Sequence, residues 1–336
     1  MPNRGRSREI FPGLVLSAAI GMMAAGFEWA EIRLLGHAYL DGLVVAILVG
    51  TLLHTIFGLN ERFAAGVKFS AKIILEVAIV LLGGTISATT IASSGLPLIA
   101  TIVAVVIVTL VLSYAIGRLL GLDDRLATLV SCGNSICGNS AIMAAAPAIE
   151  ARSEDVAASI GFTAVLGIVV VVLLPFCFTL LGLTEWQYGV VAGLSVYAVP
   201  QVLAATVTVG PLSAQIGTIV KLVRVLMLGP VVLAVGLRHG RQGDARLPIS
   251  LLVPWFIVGF ILLMAARSFL ILPDVAVEPL HIASSELTLV AMAALGLSVN
   301  LRSVLASGGR VLAAGTSSIA VLVTLAILAA VFLPIS

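Results

Sequence analysis

Ser131-Cys132-Gly133-Asn134-Ser135-Ile136-Cys137-Gly138-Asn139-Ser140-Ala141-Ile142 is a polar, glycine-punctuated tandem in a chain that is otherwise nearly all apolar. Cys-Gly-Asn-Ser occurs twice, at 132–135 and 137–140. Hydrocarbon offers no partner for a loose N–H or C=O, so irregular backbone at membrane depth survives only where protein buries it or a polar cavity solvates it. A doubled Gly-Asn-Ser is too polar for small-residue helix packing alone. The tandem therefore reads as a break in a membrane helix and as a candidate binding site.

The surrounding composition supports that setting. Of 336 residues, 60% are hydrophobic and 10% are charged, and the mean hydropathy is +1.21. A soluble domain of this size needs far more polar surface. The net charge of +2 gives no reason to expect nucleic acid. Cys132, Cys137 and Cys177 sit in apolar runs, where cysteine serves as a small hydrophobe, so no disulfide framework is expected. Arg4, Arg6 and Arg8 precede the first apolar run, and Phe11–Phe27 lacks a small-residue cleavage site, so the run is read as a retained first helix.

A helix needs roughly 20 apolar residues to cross a bilayer. Eleven candidate segments fit, near 11–29, 42–58, 69–91, 96–117, 126–149, 156–182, 187–209, 213–237, 249–272, 284–305 and 310–334. Pro211 and Ser213 mark one helix start, with Ser213 read as N-cap. Arg4, Arg6, Arg8, Arg62, Lys68, Lys72, Arg118, Arg125, Arg238, Arg241, Arg246, Arg302 and Arg310 fall on one side, 13 of 18 bases. The positive-inside rule makes that side cytoplasmic, with the N-terminus inside. If the segments at 126–149 and 187–209 are re-entrant, nine spans plus two hairpins preserve the same sides, and the sequence leaves both readings open.

Leu82-Gly83-Gly84-Thr85-Ile86 running to Ser94-Gly95 is echoed by Leu295-Gly296-Leu297-Ser298-Val299 running to Ser307-Gly308, at an offset of 213 residues. The copies stand seven places apart in the order of segments, which makes them antiparallel, as in inverted-repeat transporters. A weaker echo at an offset of 60 relates Asn139–Ser153 to Val199–Ser213. The expected fold class is an all-α polytopic membrane protein with about 9–11 transmembrane segments, inverted-topology repeats and two broken or re-entrant helices. It forms one transport domain over 1–336, with repeat-like halves near 40–122 and 253–335 and a site region near 126–237.

Lys221 and Arg224 lie three residues apart on one helix face, deep in an apolar segment without an acid. A buried charge at that depth is costly and is a functional candidate by default. Two such bases suggest an anion site, with the Arg224 fork suited to an oxyanion. Half-helix N-termini also favour anions. The substrate-binding candidates are Asn134, Ser135, Gly138, Asn139, Ser140, Gln201, Lys221 and Arg224. Glu76, Tyr197 and Asn300 are candidates for coupling or for structural roles, with a Lys72–Glu76 pair the plainer reading of Glu76. No catalytic grouping, nucleotide-binding loop, metal-ligand set or cofactor motif is present, so neither an enzyme nor an ATP-driven pump is expected. The expected partners are a small inorganic or organic anion and membrane lipid; a homodimer is an assembly the sequence allows.

Ser-Ile-Cys-Gly at 135–138, Gln-Val-x-Ala-Ala at 201–205, Lys-x-x-Arg-Val-x-Met-Leu at 221–228, Pro-Trp-Phe at 254–256 and Met-Ala-Ala-Leu-Gly-Leu at 292–297 resemble, in order, the YeiH-type sulfate exporters of bacteria. The resemblance runs from about Gly13 to Gly309. It implies a multi-pass secondary transporter of the bacterial inner membrane, built on an inverted repeat and exporting sulfate or a related organosulfur or carboxylate anion. Where many of those proteins carry His-Glu just before Gln-Val, this chain has Tyr197-Ala198-Val199-Pro200, so the resemblance does not extend to proton coupling there. A cation–proton antiporter, which needs deep acids, and an anion channel are the alternative readings.

Overall fold

The computed structural model describes residues 4–35, 41–86, 95–239, 255–269, 271–302 and 309–333, and side chains 4–8 and 35 are outside that description. Ser94, Ser307 and Gly308 of the repeat, the bases Arg241 and Arg246, and Pro254 lie outside the described residues, as do the side chains of Arg4, Arg6 and Arg8. Every regular element described is helical: α1 (Arg4–Leu35), α2 (Gly42–Phe57), α3 (Glu61–Phe69), a π-turn (Ser70–Ile74) leading into α4 (Leu75–Gly83), α5 (Gly95–Leu119), α6 (Asp124–Ser135), α7 (Asn139–Ala148), α8 (Ser153–Leu181), α9 (Glu185–Ser195), α10 (Val199–Thr206), α11 (Pro211–Leu226), α12 (Leu228–Arg238), α13 (Trp255–Ser268), α14 (Asp274–Leu297) and α15 (Gly309–Phe332). Six helical rods are long and apolar enough to cross a membrane, and α2 and α13 are shorter apolar helices. With the run from α3 through α4, which carries five charged residues and is not among those apolar spans, this gives nine rods among the described residues. They and the two broken segments described below account for all eleven segments read from the sequence.

The chain divides into two compact units. The first comprises 1–90 and 256–302. Within it the repeat appears as a two-fold exchange. A Cβ on Gly296 in α14 would meet the Ile47 carbonyl oxygen of α2 at 2.3 Å, and a Cβ on Gly83 at the end of α4 would meet the Phe260 carbonyl oxygen of α13 at 2.4 Å. Both pairs are related by the same offset of 213 residues, so α2 packs on α14 as α13 packs on α4. Only a residue without a side chain allows backbones this close, which is the small-residue packing that membranes favour.

Asp41 caps α2, its carboxylate accepting from the Leu43 N–H at 2.8 Å, and Glu28 accepts from the Gly42 N–H beside it. Burial, with the neighbouring Glu28 charge added, pushes the Asp41 carboxyl up from 3.8 to about 6. An acid raised on folding favours the folded state while protonated, so stability falls as pH climbs from about 4 through about 6. Asparagine keeps the capping oxygen without the charge. Asp41→Asn should therefore melt higher than wild type at about pH 8, by up to about 3 kcal/mol, and no higher near pH 4. Equal melting at both pH values would contradict this.

The second unit comprises 91–255 and 303–336. Here the sequence alternatives are resolved, because both broken segments turn back on themselves. In the first hairpin, α6–α7, the Arg125 guanidinium at the start donates to the Glu150 carbonyl just past the end, at 2.7 Å. In the second, α9–α10, the Tyr188 hydroxyl donates across to the Ala205 carbonyl at 2.7 Å, and a Cβ on Gly210 would strike the Glu185 carboxylate. The limbs have 12, 10, 11 and 8 residues, each about 12–18 Å long, roughly half a bilayer core. The single helix α8, which carries Pro175 in its last third, connects the two hairpin bases, so the hairpins enter from its opposite ends. Ser213 is the third residue of α11 rather than its cap. Pro211 opens the helix after Gly210, and the Ser213 hydroxyl instead donates to the Glu185 carbonyl, tying α11 to α9.

Candidate functional site

The hairpin tips meet. The first breaks at Ile136–Gly138, where Gly138 takes φ +65°, a conformation that side chains resist, and a Cβ there would press on Tyr197 at 3.1 Å. The second breaks at Val196–Ala198. Across the junction the Tyr197 hydroxyl donates to Asn134 Oδ1 at 2.5 Å. Both tips rest on the middle of α8. Thr163 donates to Asn139 Oδ1 at 2.5 Å, and Gly167 opens the space against which Tyr197 and Gln201 pack. The offset of 60 read from the sequence corresponds to these hairpins: α6 and α9 end at Ser135 and Ser195, and α7 and α10 begin at Asn139 and Val199.

Lys221 and Arg224 project from α11 into the junction, and neither is exposed at all. Lys221 Nζ donates to the Ile136 carbonyl at 2.5 Å. Arg224 Nε donates to the Ser135 carbonyl and Nη2 to the Asn134 carbonyl, both in the first hairpin. Its Nη1 donates to the Gly193, Leu194 and Val196 carbonyls of the second hairpin. These oxygens terminate α6 and α9, where the helix dipole is negative and the last carbonyls lack partners. Sequence reading placed the Arg224 fork on an oxyanion; its donors instead bind backbone at two helix ends. Arg224 reaches both because α9 and α11 nearly touch: a Cβ on Gly193 would lie 2.5 Å from the Gly217 carbonyl oxygen.

The helices that start at the junction, α7 and α10, present their positive ends there. Asn139 and Ser140, at the start of α7, are exposed, whereas Asn134, Ser135 and Gln201 are buried. Gln201 accepts from the Ala198 N–H at 3.2 Å, closing the first turn of α10. The buried hydroxyls of Ser135 and Ser195, equivalent last residues of α6 and α9, have no hydrogen-bond partner among the described residues. Cys132 and Cys137 are free thiols. Of the sequence candidates, Asn134, Ser135, Gly138, Asn139, Ser140, Tyr197, Gln201, Lys221 and Arg224 come together in the second unit. Glu76 in α4 and Asn300 after α14 belong to the first unit; the Asn300 side chain accepts from the Arg302 N–H. Sequence reading missed Thr163 and Gly167. Their signal was a threonine and a glycine four apart, which do not stand out in a segment that also holds Ser159 and Gly161.

A family model described as "Conserved hypothetical protein 698" matches residues 12–315. A UPF0324 membrane protein of Agrobacterium fabrum is 53% identical over 313 residues, covering 93% of this chain and 90% of that protein. One from Brucella melitensis is 54% identical over 305 residues, covering 90% and 85%. One from Bacillus cereus is 33% identical over 277 residues, covering 81% and 78%. With six helices among the described residues long and apolar enough to cross a membrane, the chain is a multi-pass membrane protein, and it belongs to the conserved hypothetical protein 698 family, whose relatives here are UPF0324 membrane proteins.

Proposed function

We propose that this protein is a secondary transporter, an exporter of a small anion such as sulfate or a related organosulfur or carboxylate anion, which binds where the hairpin tips meet. The observation that carries the reading is the pairing of dipole ends at the junction. The negative ends of α6 and α9 are occupied by Arg224 and Lys221, while the positive ends of α7 and α10 begin at the same place. Four opposed dipole ends roughly cancel, and the Arg224 guanidinium, which keeps its charge, leaves the junction cationic. First-turn N–H groups with Asn134, Ser135, Gly138, Asn139, Ser140 and Gln201 would supply neutral donors, and the bases would supply charge. Cargo passes unchanged, so no catalytic role is assigned. The distribution of bases supports an inner-membrane location with the N-terminus cytoplasmic. A cation–proton antiporter reading finds little support: among this unit's described residues the one buried acid, Asp155, pairs with Arg152 at the start of α8, and Glu76 belongs to the other unit.

In purified protein, sulfate should raise the melting temperature above that in chloride at equal ionic strength. Proteoliposomes should show saturable uptake of radiolabelled sulfate that is stimulated by sulfate inside. Ser140→Ala, at an exposed position, should leave basal melting intact, whereas Asn139→Ala should lower it by about 1 kcal/mol through the lost Thr163 hydrogen bond; together they should weaken sulfate binding about ten- to hundredfold, as loss of hydrogen bonds to a charge implies. Identical melting in sulfate and chloride would refute the anion reading, and flux without saturation or counterflow would indicate a channel.

A further inference from the structure

We propose that Lys221 and Arg224 are tethered cations. They occupy the place that a dissolved alkali ion takes in ion-coupled carriers, so anion movement through this protein requires neither Na+ nor K+. In secondary transporters built on broken helices, unwound carbonyls and half-helix C-terminal ends coordinate the coupling cation. Here that set of oxygens is already bound. Six carbonyls from two breaks, those of Asn134, Ser135, Ile136, Gly193, Leu194 and Val196, accept from side-chain nitrogens of one helix. Both side chains are fully buried, and their hydrogen-bond partners among the described residues are backbone oxygens alone. Arginine keeps its charge, and an ammonium is a compact point charge that fits where a small ion would. A charge held by a covalent stem cannot leave with the cargo. Net movement of an anion is therefore uncompensated by a co-transported alkali ion, and neutral operation requires exchange against another anion or movement of a proton with the cargo.

The cargo in this statement rests on the transport reading above, but the cation comparison is independent of it. Full-length protein in detergent is melted in choline, sodium and potassium chloride at equal ionic strength. Wild type should melt alike in all three. Lys221→Ala opens space beside the Ile136 carbonyl, so it should melt lower in choline and recover by roughly 2–4 °C in sodium or potassium, as binding of a ligand near tenfold its Kd would give. Lys221→Met fills the space with apolar atoms and should not recover. Stabilisation of wild type by either alkali ion, or no recovery of Lys221→Ala in either, overturns the proposal. Should Lys221→Ala not fold, wild type decides: melting alike in all three salts supports the proposal, and alkali-dependent melting overturns it. Sulfate added in each salt tests the other reading separately, since a missing sulfate shift refutes the anion cargo without touching the comparison among cations.

Discussion

Arg224→Ala should be the most damaging single substitution in the second unit, lowering stability by about 3–5 kcal/mol, the scale for breaking a buried charged network. The reason lies in what would be orphaned. Five carbonyls at two helix ends would lose their donor in a place with no exposure to solvent. Each unsatisfied buried acceptor carries its own desolvation cost. Arg224→Lys should recover little, because one ammonium cannot present the planar fork that reaches α6 and α9 together. Thermal melting of purified protein checks this. A variant within about 1 kcal/mol of wild type would mean that the carbonyl contacts do not hold the tips together.

Gly83→Ala and Gly296→Ala should each destabilise the first unit, and by similar amounts. Each added methyl would press on backbone of the facing helix, Phe260 in one case and Ile47 in the other, rather than on a side chain able to turn aside. Overpacking of this kind typically costs about 1–3 kcal/mol. The equality is the informative part, since it tests whether the two copies have the same packing. If one variant melts like wild type while the other fails, the exchange relation has no energetic counterpart.

The eleven apolar segments were legible because bilayer thickness sets segment length without reference to neighbours. The inverted repeat was legible in Gly83 and Gly296, since close backbone contact demands the same residue in both copies. The breaks at Gly138 and before Pro200 were legible as polar or rigid interruptions. Re-entry was not. It depends on Arg125 meeting Glu150 and on Ser213 meeting Glu185, pairings of residues 25 and 28 apart that leave no periodic trace. The partners of Lys221 and Arg224 were also hidden. Their acceptors are backbone carbonyls, which every residue possesses, so the sequence announced two buried bases but not what neutralises them. Glu76 and Asn300 were visible as polar residues in apolar runs, yet nothing local places them in a different unit from the tips.

The strut α8 has 29 residues, about 43 Å, whereas the hydrocarbon core is about 30 Å thick. A rod of that length adapts to its lipid by tilting, by bending at Pro175 or by drawing the bilayer thicker. Both tips rest on neighbouring turns at its midpoint, through Thr163 and Gly167, so a change of tilt carries them together and leaves their spacing intact. The helical limbs tie each hairpin base to its tip, so the hairpins follow the strut as it leans. Short-chain and long-chain lipids therefore alter the lean of the strut, while the junction keeps one geometry across membranes of different thickness.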